Sequence, residues 1–349
     1  MLVFSCCSQE KDDTLLSYFK DSPSAVVPLE SAIELEQYGI LVPTGVMRYQ
    51  GSFIIQKGLS DNFIDILTPE RQTIHCVKMG RGPGELIDYG SSQVCGDTLF
   101  VFSPLQKKLL ILDIPSTIMS HKQITLDEFQ IGPSDNVISE QMVLPVRIQR
   151  FKDRFWAVGM FGDGSLCAEL SRDGEFISGI SGPDLEDSRL GDADRASLNM
   201  DALVSVSPDG SRVAIAYTHI AALSLGTTRP ALSKYWSELF YQPELWFPDQ
   251  QGLMVSYAKE NRVAFQGLQA FDDRIYALYS GKDRVNDNEN KANHCSHLLV
   301  FEWNGKPMMR YELELPVSNF WMEGNTLYGV SFYPDAKLYQ FELPRSGIF

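Results

Sequence analysis

The chain has 349 residues, of which 44% are hydrophobic and 21% are charged. This composition is typical of a folded protein with a sizeable core and excludes a largely disordered chain. The formal net charge of −15 predicts an acidic surface that repels phosphate backbones, so we expect no nucleic-acid partner. The sequence contains no apolar run of the roughly 18 residues that a transmembrane helix needs, which excludes such a helix.

The first feature in chain order is a pair of adjacent cysteines, Cys6 and Cys7. The residues before Cys6 resemble the lipobox of a bacterial lipoprotein signal, because Val3 is aliphatic and Ser5 is small. Cys7 fits this pattern less well, since Phe4 and Cys6 would then occupy the two key positions. We predict that Cys6 carries a lipid. The alternative is an ordinary N-terminus with two incidental cysteines.

A complete signal has a basic region and an apolar region of about 7–15 residues, whereas only five residues precede Cys6. We therefore expect the rest of the signal to be encoded upstream of Met1. Residues 1–24 are interpreted as the remnant of this signal followed by a polar tether, with one helical turn around Leu15 to Phe19.

A short phrase then recurs six times along the chain. It consists of a turn residue, one polar position, and alternating apolar and aromatic residues. The turn residues are Gly51, Asp97, Asp153, Ser211, Asp273 and Asn325. Their separations of 46 to 62 residues bracket the period of about 50 that kelch repeats have. Each phrase predicts a tight turn followed by a half-buried strand.

Further strand patterns follow the phrase in most copies, as in residues 109–113 and 73–78. A strand that leads into the turn residue brings each unit to four strands, which is a propeller blade. We therefore predict an all-β fold over residues 25–349, a six-bladed β-propeller of four-stranded antiparallel blades. A β-sandwich or several domains would be the alternative, but no linker-like break separates the copies and helical periodicity is almost absent.

The two chain ends are predicted to close the ring. The last copy supplies strands only to about Leu343, and an open ring would expose a sheet edge. The segment from Val26 to Leu35 has strand character and precedes the first blade. We predict that this N-terminal strand completes blade six as its outer strand.

The fourth unit is irregular and contains an insertion, in which we predict a short helix near Tyr235 to Tyr241. The insertion is rich in aromatic side chains: Tyr235, Trp236, Phe240, Tyr241, Trp246 and Phe247. Two interpretations remain open for them. They pack over the blade as local core, or they form an aromatic ledge for a sugar or peptide.

Four residues are candidates for ligand binding. Arg81 and Glu85 lie in the glycine-rich string 79–86, where backbone N–H groups and the Arg81 charge would suit an anion. The alternative is a tight crossover from blade one to blade two, which we favour because a P-loop ending is missing. Arg48 and Arg150 each stand three residues before their turn residue and are predicted to line the channel. A surface salt bridge is the alternative for each.

No catalytic, metal-binding or cofactor-binding residues are predicted. The string His294-Cys295-Ser-His297 falls where blade five needs a hairpin loop, and its two histidines would point to opposite faces of a strand. The cysteines form no CxxC pair, and no GxSxG, HExxH or kinase signature is present. Carboxylate pairs are adjacent in sequence and would point apart.

Several phrases resemble the TolB-like six-bladed propeller lipoproteins of gut-dwelling Gram-negative bacteria. They are Gly80-Arg-Gly-Pro-Gly-Glu85, Ile275 to Gly281, and Val300 to Pro307. The resemblance covers roughly residues 25–345. It implies a lipid-anchored propeller that faces the periplasm or the cell exterior, and it implies no settled biochemical role and no catalytic residues.

These observations together predict a non-enzymatic binding or scaffold module at the cell envelope, attached to the membrane through its lipid alone. We expect a monomer that engages a glycan, a peptide or a protein partner. The alternative is a propeller hydrolase or lactonase that acts on a small sugar-derived substrate.

Overall fold

The computed structural model describes residues 14–58, 60–132, 143–248, 255–284 and 291–344. Cys6 and Cys7 lie outside the described residues. The described chain begins with three short elements: α1 (Thr14–Tyr18), β1 (Ser24–Val27) and β2 (Leu29–Glu34). A 3₁₀ helix follows at Glu36–Tyr38.

The next strands form three four-stranded antiparallel sheets, which are blades one to three. Blade one consists of β3 (Pro43–Tyr49), β4 (Ser52–Lys57), β5 (Asn62–Leu67) and β6 (Thr73–Lys78). Blade two consists of β7 (Ser91–Cys95), β8 (Thr98–Ser103), β9 (Lys108–Asp113), the helix α2 (Ile114–Ser120) and β10 (Thr125–Gln130). Blade three consists of β11 (Val143–Phe151), β12 (Arg154–Phe161), β13 (Cys167–Leu170) and β14 (Phe176–Ile180).

The helix α3 (Asp192–Asn199) leads into the second half of the ring. Blade four consists of β15 (Ala202–Val206), β16 (Arg212–Tyr217), β17 (Ala221–Thr227) and β18 (Ser233–Tyr241), and a hairpin of β19 (Leu245–Trp246) and β20 (Ser256–Tyr257) follows it. Blade five consists of β21 (Phe265–Ala270), β22 (Arg274–Tyr279), the 3₁₀ helix Lys291–Asn293, β23 (Cys295–Glu302) and β24 (Pro307–Val317). The last strands are β25 (Asn319–Glu323), β26 (Thr326–Ser331) and β27 (Lys337–Glu342).

The first strand of every blade lines a central channel. These six inner strands contact one another in chain order, and the inner strand of blade six contacts that of blade one. The contacts therefore form a closed ring of β3, β7, β11, β15, β21 and β25. The six-bladed, four-stranded architecture that the sequence predicts is confirmed.

The N-terminal strand closes the ring as predicted. β2 pairs antiparallel with β27, from Leu29 opposite Phe341 to Glu34 opposite Lys337, and so becomes the outer strand of blade six. The sequence analysis did not predict β1 as a separate strand. β1 lies parallel to β24 and adds a fifth strand to blade five. Pro28 separates the two strands, since proline cannot donate a ladder hydrogen bond.

The core is divided among the interfaces between blades. Six buried apolar clusters are present among the described residues, one for each pair of neighbouring blades. Leu15 of α1 and Phe19 directly after it belong to the cluster between blades four and five, and the Phe19 ring lies 4.9 Å from that of Phe301. Residues 14–19 are therefore packed against the propeller, although the sequence analysis assigned them to the tether.

The recurrent turn residues do lie in tight hairpins. Five of the six hairpins have two-residue turns: 50–51, 96–97, 152–153, 272–273 and 324–325. Gly51 adopts a φ of +87°, which glycine tolerates and most residues do not. The turn of blade four is longer, because its closing hydrogen bond joins the Ser207 N–H to the Arg212 carbonyl.

The predicted helix near Tyr235 to Tyr241 is wrong, because this segment is the outer strand β18 of blade four. It pairs with β17 through contacts such as Trp236 opposite Leu225. The segment is rich in aromatic residues, which favour a pleated surface, and pairing with an existing sheet edge outweighs its weak helical pattern.

Candidate functional site

Polar side chains of the inner strands join neighbouring blades along the channel. We call Gln93, Gln149, Ser205 and Gln269 the inner-strand ladder. In each case the side chain of one blade accepts a hydrogen bond from a backbone N–H of the next inner strand, over 2.7 to 2.9 Å. Gln93 and Gln269 also donate to the carbonyl of the same residue that they accept from.

The sequence analysis missed this ladder, although a signal for it exists. Gln93, Gln149 and Gln269 all stand four residues before the turn residue of their blade. Alignment of the six phrases on their turns would have exposed the repeated glutamine. The ladder fixes neighbouring inner strands in register, so it determines which side chains meet around the channel.

A cavity of about 360 Å³ lies at the end of the channel where the inner strands begin. We call this the cavity end and the opposite one the turn end. The cavity has the size of a small-molecule site, for which about 300–1,000 Å³ is usual. Every blade or the loop leading into it contributes a lining residue, for example Thr44, Tyr89, Arg147, Asp201, Gln266 and Asn319.

Three ionisable side chains in this polar lining form a cluster. Nη2 of Arg147 donates to Oδ1 of Asp201 over 3.0 Å, and Nε2 of His219 lies 3.2 Å from Oδ2 of the same carboxylate. The second guanidinium nitrogen, Nη1 of Arg147, donates to the Gly90 carbonyl over 3.3 Å. Gly90 allows this close approach, because a Cβ there would lie 2.3 Å from the Val146 carbonyl oxygen.

The electrostatic environment keeps Asp201 ionised. Burial in the wall would by itself raise the pKa of this carboxyl group, but the hydrogen bond from His219 and the charge of Arg147 outweigh it and lower the pKa below its usual value. About 47% of the side-chain surface still faces the open cavity. Asp201 is therefore an anion whose two oxygens are already held by two basic groups.

The cluster is fixed in place from behind. The His219 carbonyl accepts a hydrogen bond from the buried side chain of Asn261, over 2.8 Å, and the His219 ring lies 5.0 Å from that of Tyr257. Nδ1 of His219 and Nε of Arg147 are buried without a hydrogen-bond partner among the described residues. The cluster comes from three separate stretches of the chain, so it leaves no linear motif.

Below the cavity the channel narrows and becomes less polar. A smaller space of about 150 Å³ shares Gln56, Tyr89 and Asn319 with the cavity above it. Its wall includes the apolar side chains Leu268 and Phe320. A ligand that enters from the cavity end therefore meets polar groups first.

The structure places Arg48 and Arg150 at the turn end and does not bring them to the cavity. The Arg48 guanidinium lies 4.3 Å from the Phe53 ring and 4.7 Å from the Tyr328 ring, between blades one and six. The Arg150 guanidinium lies 4.7 Å from the Phe100 ring, between blades two and three. Their proposed role in ligand binding stays a prediction.

The glycine-rich string that contains Arg81 and Glu85 is the crossover from blade one to blade two, as favoured. Oε2 of Glu85 accepts a hydrogen bond from the Gly82 N–H over 2.9 Å. The carboxylate of Glu85 therefore occupies the place that a bound anion would take in this loop. Arg81 is exposed on the same face as the cavity but outside its lining.

The four described cysteines and the His294 string form no metal centre. Among residues 14–344, as far as they are described, no three His, Cys, Asp or Glu side chains come close enough to hold a metal ion. His294 is buried, with its ring 4.6 Å from that of Phe332. Burial raises the pKa of the Cys167 thiol to about 12, which suits an unreactive core residue.

The aromatic residues of β18 and of the segment after it differ in how far they are buried. Trp236 and Phe240 pack against the cluster between blades four and five, and Phe247 lies 3.6 Å from the Arg189 guanidinium. Only Tyr235 and Trp246 have about half of their surface exposed, at 49% and 51%. Local packing therefore accounts for most of this group.

The fold and the site define a class, the six-bladed β-propellers that present a polar cavity at one end of a central channel. The family model described as TolB-like 6-blade propeller-like matches residues 36–325. The chain belongs to this TolB-like propeller family. The helices among the described residues are too short or too polar to cross a membrane.

Solved structures with the same fold are distant in sequence. A member of the DUF4221 family from Bacteroides vulgatus is 9% identical with a TM-score of 0.54, over 90% of this chain and 96% of that one. A gluconolactonase from Xanthomonas campestris is 11% identical with a TM-score of 0.51, over 90% and 89% of the two chains. Identities this low show a shared fold alone. No curated protein matches the chain.

Proposed function

We propose that the protein is a non-enzymatic binding module of the cell envelope, held to a membrane by a lipid on Cys6. Its ligand is a glycan, a peptide or a segment of a protein partner. The ligand binds at the cavity end of the channel of a single, monomeric propeller. The observation that carries this proposal is the cavity of about 360 Å³, to which all six blades contribute polar side chains.

The chemistry of the lining supports binding through hydrogen bonds. Side chains such as Gln56, Gln266 and Asn319 offer both donors and acceptors, as hydroxyl and amide groups of a ligand require. The surrounding blades form a rigid frame, so the protein loses little conformational entropy when the ligand binds.

A hydrolase or lactonase for a small sugar-derived substrate is the second candidate. The contact between Asp201 and His219 favours it, because such a pair could accept a proton from water. The gluconolactonase of the same fold raises the same possibility. Against it, Asp201 is also bound by Arg147, and no second carboxylate lines the described cavity.

Ligand-observed NMR with a panel of monosaccharides, disaccharides and short peptides tests the binding function. The variant Thr44→Trp places a large side chain in the cavity mouth, where Thr44 is exposed, and we expect it to abolish binding. Ser31→Trp on the exposed outer strand of blade six is the matched control and should bind normally. Equal binding by both variants would contradict the cavity as the site.

Enzymatic activity is tested separately with purified protein and simple lactones and glycosides. We expect no turnover above the uncatalysed rate. Turnover that disappears in both Asp201→Asn and His219→Gln, while Asp61→Asn retains it, would establish the second candidate instead.

The lipid anchor is tested in cells that express the gene with its upstream region. We expect the wild type to incorporate a labelled fatty acid and to be found in the membrane fraction. Cys6→Ser should lose both the label and the membrane association. Cys7→Ser should behave like the wild type. Labelling that survives in Cys6→Ser would contradict the assignment of Cys6.

A further inference from the structure

The positive and negative charges of the cavity lining do not cancel. Two arginines, Arg147 and Arg284, face the space together with a single carboxylate, Asp201. The protein as a whole carries a formal charge of −15, so the cavity has the opposite sign to the rest of the molecule. A cleft with an excess of one sign of charge attracts ligands of the other sign.

The two arginines differ in their contacts. Arg147 is part of the wall, since Nη1 donates to Gly90 and Nη2 to Asp201. The carboxylate of Asp201 therefore largely compensates the positive charge of Arg147. A ligand gains little from a guanidinium whose terminal nitrogens are already bonded.

Arg284 is exposed at the edge of the cavity. The adjacent carboxylate, Asp283, is occupied by another cation, because Nε of Arg262 lies 3.5 Å from its Oδ1. Within the described part of the chain, Arg284 itself takes part in no ion pair and no hydrogen bond. Its planar guanidinium is therefore open toward the cavity.

We propose that the cavity binds a sugar residue that carries a carboxylate, with the carboxylate on Arg284. This inference rests on the proposed binding function and specifies its ligand. A guanidinium matches a carboxylate through two parallel hydrogen bonds. The sugar hydroxyls are then placed to bond the amides of Gln56, Gln266 and Asn319, which both donate and accept.

A peptide C-terminus carries the same charged group, but the lining suits it less. Leu203 is the one aliphatic side chain among the described lining residues. The side chains of a peptide would therefore find almost no apolar surface, whereas a ring with several hydroxyls finds a partner on most sides.

Isothermal titration with matched ligand pairs at low ionic strength tests the inference. The pairs are methyl glucuronide with methyl glucoside, and methyl galacturonide with methyl galactoside, which differ only in the carboxylate. We expect one acidic member to bind about tenfold or more tightly than its neutral partner. Arg284→Gln should remove this difference, and Arg284→Lys should retain part of it because the charge remains.

Arg172→Gln is the matched control, since Arg172 is exposed and outside the cavity lining, and it should leave both affinities unchanged. Equal affinity of acidic and neutral sugars would overturn the carboxylate assignment and leave the binding function standing. Binding of acetyl-dialanine but not of its amide, without uronide binding, would overturn the sugar assignment. Absence of binding to every probe would overturn the binding function as well.

Discussion

The two ends of the channel are built from the same six inner strands, yet their polar side chains differ in how many internal contacts they make. At the turn end, Arg48 lies against two aromatic rings and donates from Nη1 to the Gly51 carbonyl over 2.8 Å. At the cavity end, Nδ1 of His219 and Nε of Arg147 are buried without partners among the described residues. Arg48 at the turn end is therefore held by internal contacts, whereas two polar atoms of the cavity cluster lack a partner.

This difference indicates a division of roles. Buried polar groups without partners cost free energy, so a stable protein keeps few of them away from sites of function. The turn end and the interfaces next to it are expected to carry stability, whereas the cavity end is expected to carry binding. Substitutions at each end should separate these two properties.

The largest loss of stability is expected at an apolar inner-strand position. Met47 is 4% exposed and packs in the cluster between blades one and two. Met47→Ala removes these contacts and should lower the free energy of unfolding by about 3 kcal/mol. Chemical denaturation followed by circular dichroism measures this value, and ligand affinity should stay the same. A loss below about 1 kcal/mol would show that this interface does not carry stability.

A smaller loss is expected when the inner-strand ladder is cut. Gln93→Leu leaves both the N–H and the carbonyl of Arg150 without their present partner. We expect a loss of about 1.5 kcal/mol by the same measurement, because the open channel lets water replace part of these bonds. Gln72→Leu at an exposed position is the control and should change stability by less than about 0.5 kcal/mol.

Arg48 gives a direct contrast between the two ends. Arg48→Ala removes its contacts with Phe53 and Tyr328, each of which contributes roughly 0.5–1 kcal/mol in a partly exposed site, so we expect a loss of about 1 kcal/mol. Affinity for the cavity ligand should change less than twofold in a titration. A clear loss of affinity would support the sequence-based prediction that Arg48 binds ligand.

The smallest effect concerns the pH dependence of stability at the cavity end. The native pKa of Asp201 is lowered from an ordinary value of 3.8, so its ionised form stabilises the fold above that pH and this contribution is lost as the pH falls through the native pKa. The difference in unfolding free energy between the wild type and Asp201→Asn should shrink as the pH falls below about 4. A constant difference throughout would contradict the lowered pKa.

Local patterns in the sequence were sufficient for the architecture and insufficient for the site. The six turns and their following strands were predictable because each depends on a few adjacent residues, and the pairing of β2 with β27 followed from the need to cover an edge. The placement of β1 on blade five was not predictable, since its residues have the same strand pattern as those of β2. Arg147, Asp201 and His219 were not found, because the ring brings them together from three separate stretches of blades three and four.

The N-terminal segment also constrains how the chain is completed during synthesis. β1 pairs with β24, and β2 pairs with β27. Both N-terminal strands are therefore synthesised long before their partners. Until then they are unpaired strands, which are prone to associate with other chains. Folding of the finished ring therefore depends on the last strands to be translated, and a truncated product that lacks β27 would retain an open and adhesive edge.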